Sequence, residues 1–338
     1  MTSPLLSQRI VSLPKAELHL HLEGSIQPAT VCELAANHGV TLTEEEVRRR
    51  YAYRDFLEFI EAFKWVTSFL RDPRDYALIA RDLGEHLLTQ SVVYAEVTLS
   101  VGVMLLRKQS PQANFEALLR ATEPFESRGL RFNWVFDAVR QFGAEAAMGV
   151  LYSARKCAST AIVALGLGGD ELSVPTAEFR AVYEKTAEVG LHRLVHAGEI
   201  GGPEKIREAI ELLGAERIGH GIAAIHDQSL MDLLVERKIP LEVCPGSNIR
   251  TGALARQLQC TQAQIEEHPL PTLLRHGIPI VLSTDDPAMF QTTLLGEYAN
   301  AARMGLREDE LLQIVEMGFK HSFQHNRGER PARTDSRE

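Results

Sequence analysis

Histidines and carboxylates recur at the ends of short apolar runs in this chain, and their spacing suits metal chemistry. His19 and His21 sit in "AELHLHLEG", separated by one leucine. In a strand, residues two apart point to the same side, so two imidazoles converge there. His196 and Glu199 stand in "HAGE", His220 in "GHG", and Asp285 and Asp286 in "STDDP". His19, His21, His196 and Asp285 together form a three-histidine, one-carboxylate set. That set suits one Zn²⁺ with a position left for water, a catalytic rather than a closed structural pattern. Glu199, three residues after His196, can exchange a proton, and a water-poor pocket would raise its pKa toward that of a general acid. His220, flanked by Gly219 and Gly221, can hold a reactive oxygen close to the metal, and Asp286 can accept a hydrogen bond beside Asp285. Taken singly, each of these residues has an ordinary structural reading: a core histidine, a helix N-cap, a first-turn glutamate. Their joint placement at strand ends is what argues against those readings.

Positioning them requires a fold with many strand ends on one face. Eight segments rich in apolar or β-branched residues recur, at 16–24, 92–100, 131–139, 161–169, 191–199, 217–223, 240–248 and 279–287. Most are continuously apolar for several residues and end in Gly, Pro, Ser, Asn or Asp. This predicts strands buried on both faces, as in a parallel sheet. Residues 176–190, 203–216 and 227–239 carry helical spacing with Pro, Asp or Gly at the expected ends. Strands alternating with helices predict a (β/α)₈ TIM barrel, whose active sites lie at the C-terminal strand ends. A doubly wound open sheet is the second reading, because sequence does not show closure. Residues 30–90 hold more helical pattern than one crossover needs, and predict a helical insertion after the first strand, placed as a lid. The expected organisation is one domain over 1–326 and a polar, aperiodic tail over 327–338.

Composition narrows the function. The chain has 338 residues and a net charge of −9, which argues against a nucleic-acid backbone binder and against docking on anionic membranes. It contains no apolar run long enough to span a bilayer and no secretory signal. Cys32, Cys157, Cys244 and Cys260 form no CxxC pair, so free thiols in a reducing cytoplasm are expected.

The motifs "PKAELHLHLEG", "GGDE", "HAGE", "GHG", "CPGSN" and "STDDP", in this order from about Leu13 to Phe290, resemble those of the adenosine deaminase family of metal-dependent amidohydrolases. The resemblance implies a (β/α)₈ barrel, one zinc ion per chain, and hydrolytic removal of the 6-amino group from an adenine-type ring. It implies His19, His21, His196 and Asp285 as zinc ligands and Glu199 as the acid that protonates N1. It further implies His220 as the base or orienter of the attacking water, Asp286 as the partner of N7, and a Gly169 backbone N–H at N3. The cytidine-deaminase signature H-x-E…P-C-x-x-C is absent.

Glu23 stands where adenosine deaminases commonly carry an Asp that contacts the ribose 5′-hydroxyl. Gly166 likewise replaces a common Asp, while "CPGSNIRTG" keeps the nucleoside-deaminase form. The combination is similar to deaminases of aminodeoxyfutalosine, a 5′-extended adenine nucleoside of menaquinone biosynthesis. Adenosine is the second expected substrate and adenine the third. The benzoate of aminodeoxyfutalosine calls for a cation, with Arg54, Arg140 and Arg250 as candidates. A two-metal amidohydrolase would need a lysine near the fourth strand end, where "ALGLGGDE" has none. A non-catalytic purine binder would not need the full ligand set and the acid. A small-molecule partner is expected; the oligomeric state is not readable.

Overall fold

A computed structural model describes residues 6–53 and 56–324. The eight expected segments are eight strands, β1 (Lys15–His21), β2 (Val92–Leu99), β3 (Arg131–Val139), β4 (Ile162–Gly168), β5 (His192–Ala197), β6 (Arg217–His220), β7 (Leu241–Val243) and β8 (Ile280–Leu282). They pair in parallel in strict chain order, β1 to β8. The last neighbours meet just beyond β8. His21 N–H donates to Asp285 O at 2.7 Å, Asp285 N–H donates to His19 O at 3.0 Å, and Leu20 bridges Asp285 in parallel. The sheet is therefore a barrel, and the open doubly wound alternative is excluded.

The alternation of β1 follows from this closure. Leu18, Leu20 and Leu22 are fully buried against the helical ring, while Glu17 and His19 are equally buried on the inner face. Leu18 packs with Ala16 and Phe319, the latter on the helix Glu308–Lys320. Strands covered by helices on one side and by the barrel interior on the other have no wet face, which is why their runs read as apolar throughout.

The long connection from β1 to β2 contains helices Pro28–Asn37, Glu44–Arg50, Phe56–Thr67 and Pro73–Leu88. Thr43 with Glu46 and Asp72 with Asp75 cap the second and the last of these reciprocally. Their positions differ from a simple lid. Pro73–Leu88 packs against Pro111–Glu126 in the outer ring, so closely that a Cβ on Gly84 would lie 2.4 Å from the Phe125 ring. Only Phe56–Thr67 extends over the barrel mouth, where Phe59, Ile60, Phe63 and Lys64 line the cavity. The expected tail over 327–338 lies outside the described residues.

Candidate active site

The C-terminal strand ends surround a cavity of about 200 Å³. His21, His196, Glu199, His220, Asp285 and Asp286 line its floor. His19 lies directly beneath, with Nε2 3.5 Å from Asp285 Oδ1. His21 Nε2 is 3.3 Å from the same oxygen and 3.4 Å from His196 Nε2. The ligand atoms of His19, His196, His220 and Asp285 all lie within 4.8 Å of one another. Donors on a tetrahedral ion with bonds of about 2.0 Å stand about 3.3 Å apart. The His19–Asp285, His21–Asp285 and His21–His196 separations approach that spacing, and the buried His19 Nε2 has no hydrogen-bond partner. The residues therefore fit a metal ion.

Backbone conformation marks the same place. His220 and Asp285 have φ of +61° and +65°, left-handed values uncommon for residues other than glycine. His220 is the last residue of β6 and Asp285 lies three residues past β8, and both line the cavity. Asp285 Oδ2 accepts from Ser247 Oγ at 2.6 Å. His19 Nδ1 faces Glu242 Oε2 at 2.9 Å. That carboxylate accepts the Nδ1–H and leaves Nε2 as the lone pair facing the centre. Glu242 in turn lies 2.6 Å from Arg217 Nε. Glu242 was not among the sequence candidates. Its signal was a single acid inside the apolar run "PLEVC".

Glu199 stands across the cavity floor, its Oε2 3.6 Å from His220 Nε2 and its Oε1 accepting from Thr251 Oγ1 at 3.3 Å. Burial, reinforced by the charges of Asp285 and Glu171, pushes its carboxyl up to about 8. At neutral pH it is thus a proton donor. The loop carrying it is clamped from both sides. Glu171 of "GGDE" accepts backbone N–H bonds from Gly198 at 2.8 Å and from Ile200 and Gly201. Gln257 Nε2 donates to Glu199 O at 2.9 Å and Gly201 O at 2.8 Å.

Asp286 lines the cavity with a buried Oδ1 that has no partner. A Cβ on Gly24 would fall 1.7 Å from that oxygen, so the glycine of "HLEGS" makes room for this carboxyl. Gly169, at φ +89°, lines the cavity beside Gln141.

Glu23 is elsewhere. It is buried, accepts Ser100 N–H at 3.1 Å, and does not line the cavity. The carboxyl that does line this side is Asp137 of β3. Burial, with the Glu23 charge adding, pushes it up to about 8, and its Oδ1 has no partner. Gly166 clears its space, since a Cβ there would meet Asp137 Oδ1 at 2.5 Å. Sequence reasoning missed Asp137, although a lone acid in "NWVFDAV" was its signal.

Among the arginine candidates, Arg54 lies outside the described residues. Arg140 is buried and donates to Thr176 Oγ1 and His196 O, both at 3.4 Å. Arg250 donates to Tyr51 O at 3.3 Å. Neither lines the cavity; the cation that does, among the described residues, is Lys64.

A parallel eight-stranded barrel with a histidine–carboxylate centre and a buried acid at its C-terminal mouth defines a metal-dependent hydrolase. The family described as adenosine deaminase matches residues 14–333, and the chain belongs to that family of hydrolytic deaminases. It is 37% identical to an aminodeoxyfutalosine deaminase of Streptomyces coelicolor, over 93% of this chain and 81% of that one. It is 33% identical to an adenosine deaminase of Escherichia coli, over 92% and 94%. The crystal structure of an adenine deaminase from Arthrobacter aurescens superposes with a TM-score of 0.85 at 28% identity, covering 93% of this chain and 94% of that one.

Proposed function

We propose that this protein hydrolytically removes the 6-amino group of an adenine-containing nucleoside, with aminodeoxyfutalosine as the preferred substrate. One zinc ion is held by His19, His21, His196 and Asp285. The observation that carries the reading is the Glu199 carboxyl, Oε2 3.6 Å from His220 Nε2, lining the same cavity as the donor set, with burial favouring its protonated form. Zinc bound there lowers the pKa of its water toward 7 and so supplies the nucleophile.

The protein's residues do the rest. Glu199 gives its proton to ring N1, which weakens the aromatic ring and makes C6 electrophilic. His220 orients the attacking oxygen over C6. Asp286 holds N7, and the Gly169 backbone N–H meets N3. The proton of the added hydroxyl passes to the amine as the C6–N bond breaks, so ammonia leaves and a 6-oxopurine remains. Groups already placed around the ring need little reorganisation as charge develops.

The outer wall supports the 5′-extended substrate. Phe59, Phe63, Phe142 and Phe290 form an apolar rim, with Lys64 beside them. An aromatic acid can lay its ring on the phenylalanines and its carboxylate toward the ammonium. The similarity to an aminodeoxyfutalosine deaminase points the same way. Adenosine is the alternative, favoured by the similarity to an adenosine deaminase, and adenine follows.

Purified zinc-loaded protein should convert aminodeoxyfutalosine with a higher kcat/KM than adenosine or adenine, followed by loss of adenine absorbance. A higher value for adenosine would overturn the substrate preference. No turnover of any 6-aminopurine would overturn the reaction. Glu199→Gln should lower kcat by at least about 10²-fold and leave the zinc content at one per chain. Loss of zinc would mean that Glu199 serves the metal instead.

A further inference from the structure

His220 has two possible neutral tautomers, and they do different chemistry. With the proton on Nδ1, the Nε2 lone pair faces the centre and can ligate a metal or take a proton. With the proton on Nε2, the ring faces the centre as a hydrogen-bond donor. Hydrogens are not located directly, so the tautomer must be read from the partners of the other nitrogen.

Those partners form a chain that ends on a group of known polarity. The backbone N–H of Leu270 donates to His268 Nδ1 at 3.1 Å. A backbone amide can only donate, so His268 Nδ1 is an acceptor and its proton is on Nε2. His268 Nε2 lies 3.2 Å from Asn248 Oδ1, which therefore accepts. That fixes the orientation of the amide and turns Asn248 Nδ2 toward His220 Nδ1, at 3.3 Å. An NH₂ group can only donate, so His220 Nδ1 accepts and its proton is on Nε2. Asn248 and His268 are buried, at 0% and 3% exposure, so water does not offer a competing polarity. Nε2 faces the Asp285 carboxylate, an acceptor, with Oδ2 at 3.9 Å, and lies 3.6 Å from Oε2 of the Glu199 carboxyl, as suits an N–H.

The geometry points to Asn248 and His268 as positioning residues that hold His220 as the Nε2–H tautomer, a hydrogen-bond donor to the attacking oxygen rather than a ligand or a base. The same logic separates the two buried histidines nearest Asp285. His19 gives its Nδ1–H to Glu242 and keeps Nε2 as a lone pair, whereas His220 receives at Nδ1 and keeps Nε2–H. Of the four groups that converge within 4.8 Å, His220 is thus the one set not to ligate. The catalytic consequence rests on the deaminase reading; the tautomer does not.

The test is a side-chain ¹⁵N NMR spectrum of the zinc-loaded protein, with His220 assigned from the spectrum of His220→Gln. A protonated Nε2 and a bare Nδ1 are expected. Asn248→Asp offers an acceptor to both histidines and should move the His220 proton to Nδ1. With it, kcat should fall by roughly 10²-fold while KM changes less than about threefold. His268→Leu frees the amide to turn and should give a mixture of tautomers and a smaller loss. A wild-type spectrum with Nδ1 protonated overturns the inference, and that spectrum decides even if a variant fails to fold. An unchanged tautomer, or an unchanged kcat on reversal, in Asn248→Asp also overturns it. Absence of any deaminase activity in the wild type would overturn the functional reading and leave the NMR result to judge the relay alone.

Discussion

At the scale of single residues, the site depends as much on what is missing as on what is present. Gly24 is small because Asp286 occupies the place of its side chain, and Gly166 is small because Asp137 does the same. Gly24→Ala should therefore displace Asp286 and lower kcat/KM by at least about tenfold, with zinc retained; metal analysis beside steady-state kinetics checks both. Asp137→Ala should raise KM for nucleosides more than for free adenine, because its buried Oδ1 has no protein partner and can accept from a sugar hydroxyl. Equal losses on nucleoside and base would show that Asp137 only supports the wall. The convergence of His19, His21, His196, Glu199, His220 and Asp285 was legible in the sequence, because histidines and acids are rare at or near the C-terminal ends of buried strands. Asp137, Glu242 and His268 were not singled out. For Glu242 the partner lies far away in sequence, 223 positions from His19, and no local pattern encodes such a contact; His268 acts only through Asn248, which itself reaches His220. Glu23 was expected at the substrate and lies behind the cavity wall, because one turn of 3₁₀ helix, Glu23–Ser25, carries it toward Ser100.

At the scale of elements, the loop after β5 carries the acid and is held as a rigid piece. Glu171 takes three of its amides and Gln257 two of its carbonyls. Glu171→Gln replaces an acceptor oxygen with a donor facing those amides. It should lower kcat by roughly tenfold to a hundredfold with zinc still bound, and hydrogen exchange at residues 198–201 should quicken. Unchanged exchange would show that the clamp does not limit the loop. The strands themselves were readable as apolar runs; seven fall within the expected segments and β1 begins one residue earlier, at Lys15. The insertion was readable as helices but not as to which one covers the mouth. Amphipathic spacing tells that a helix has a buried face, not against what it is buried. Pro73–Leu88 hides its face against the ring, Phe56–Thr67 against the cavity rim.

At the scale of the whole molecule, one ion would tie together β1, β5 and the segment after β8, the same seam at which the barrel closes. Removing it should therefore loosen more than the chemistry. A strong chelator should abolish activity and lower the melting temperature by several degrees, and added zinc should restore both. Free zinc at 1,000 times its Kd contributes about 4 kcal/mol. A melting curve indifferent to the chelator would show that the seam holds without the ion.

That seam also has an order in time. Synthesis reaches Asp285 more than 260 positions after its partners His19 and His21, and its backbone completes the barrel in the same contact that brings the donor set together. An unfinished chain has no centre to load. Uptake of an ion at this seam would thus report that synthesis has passed the eighth strand.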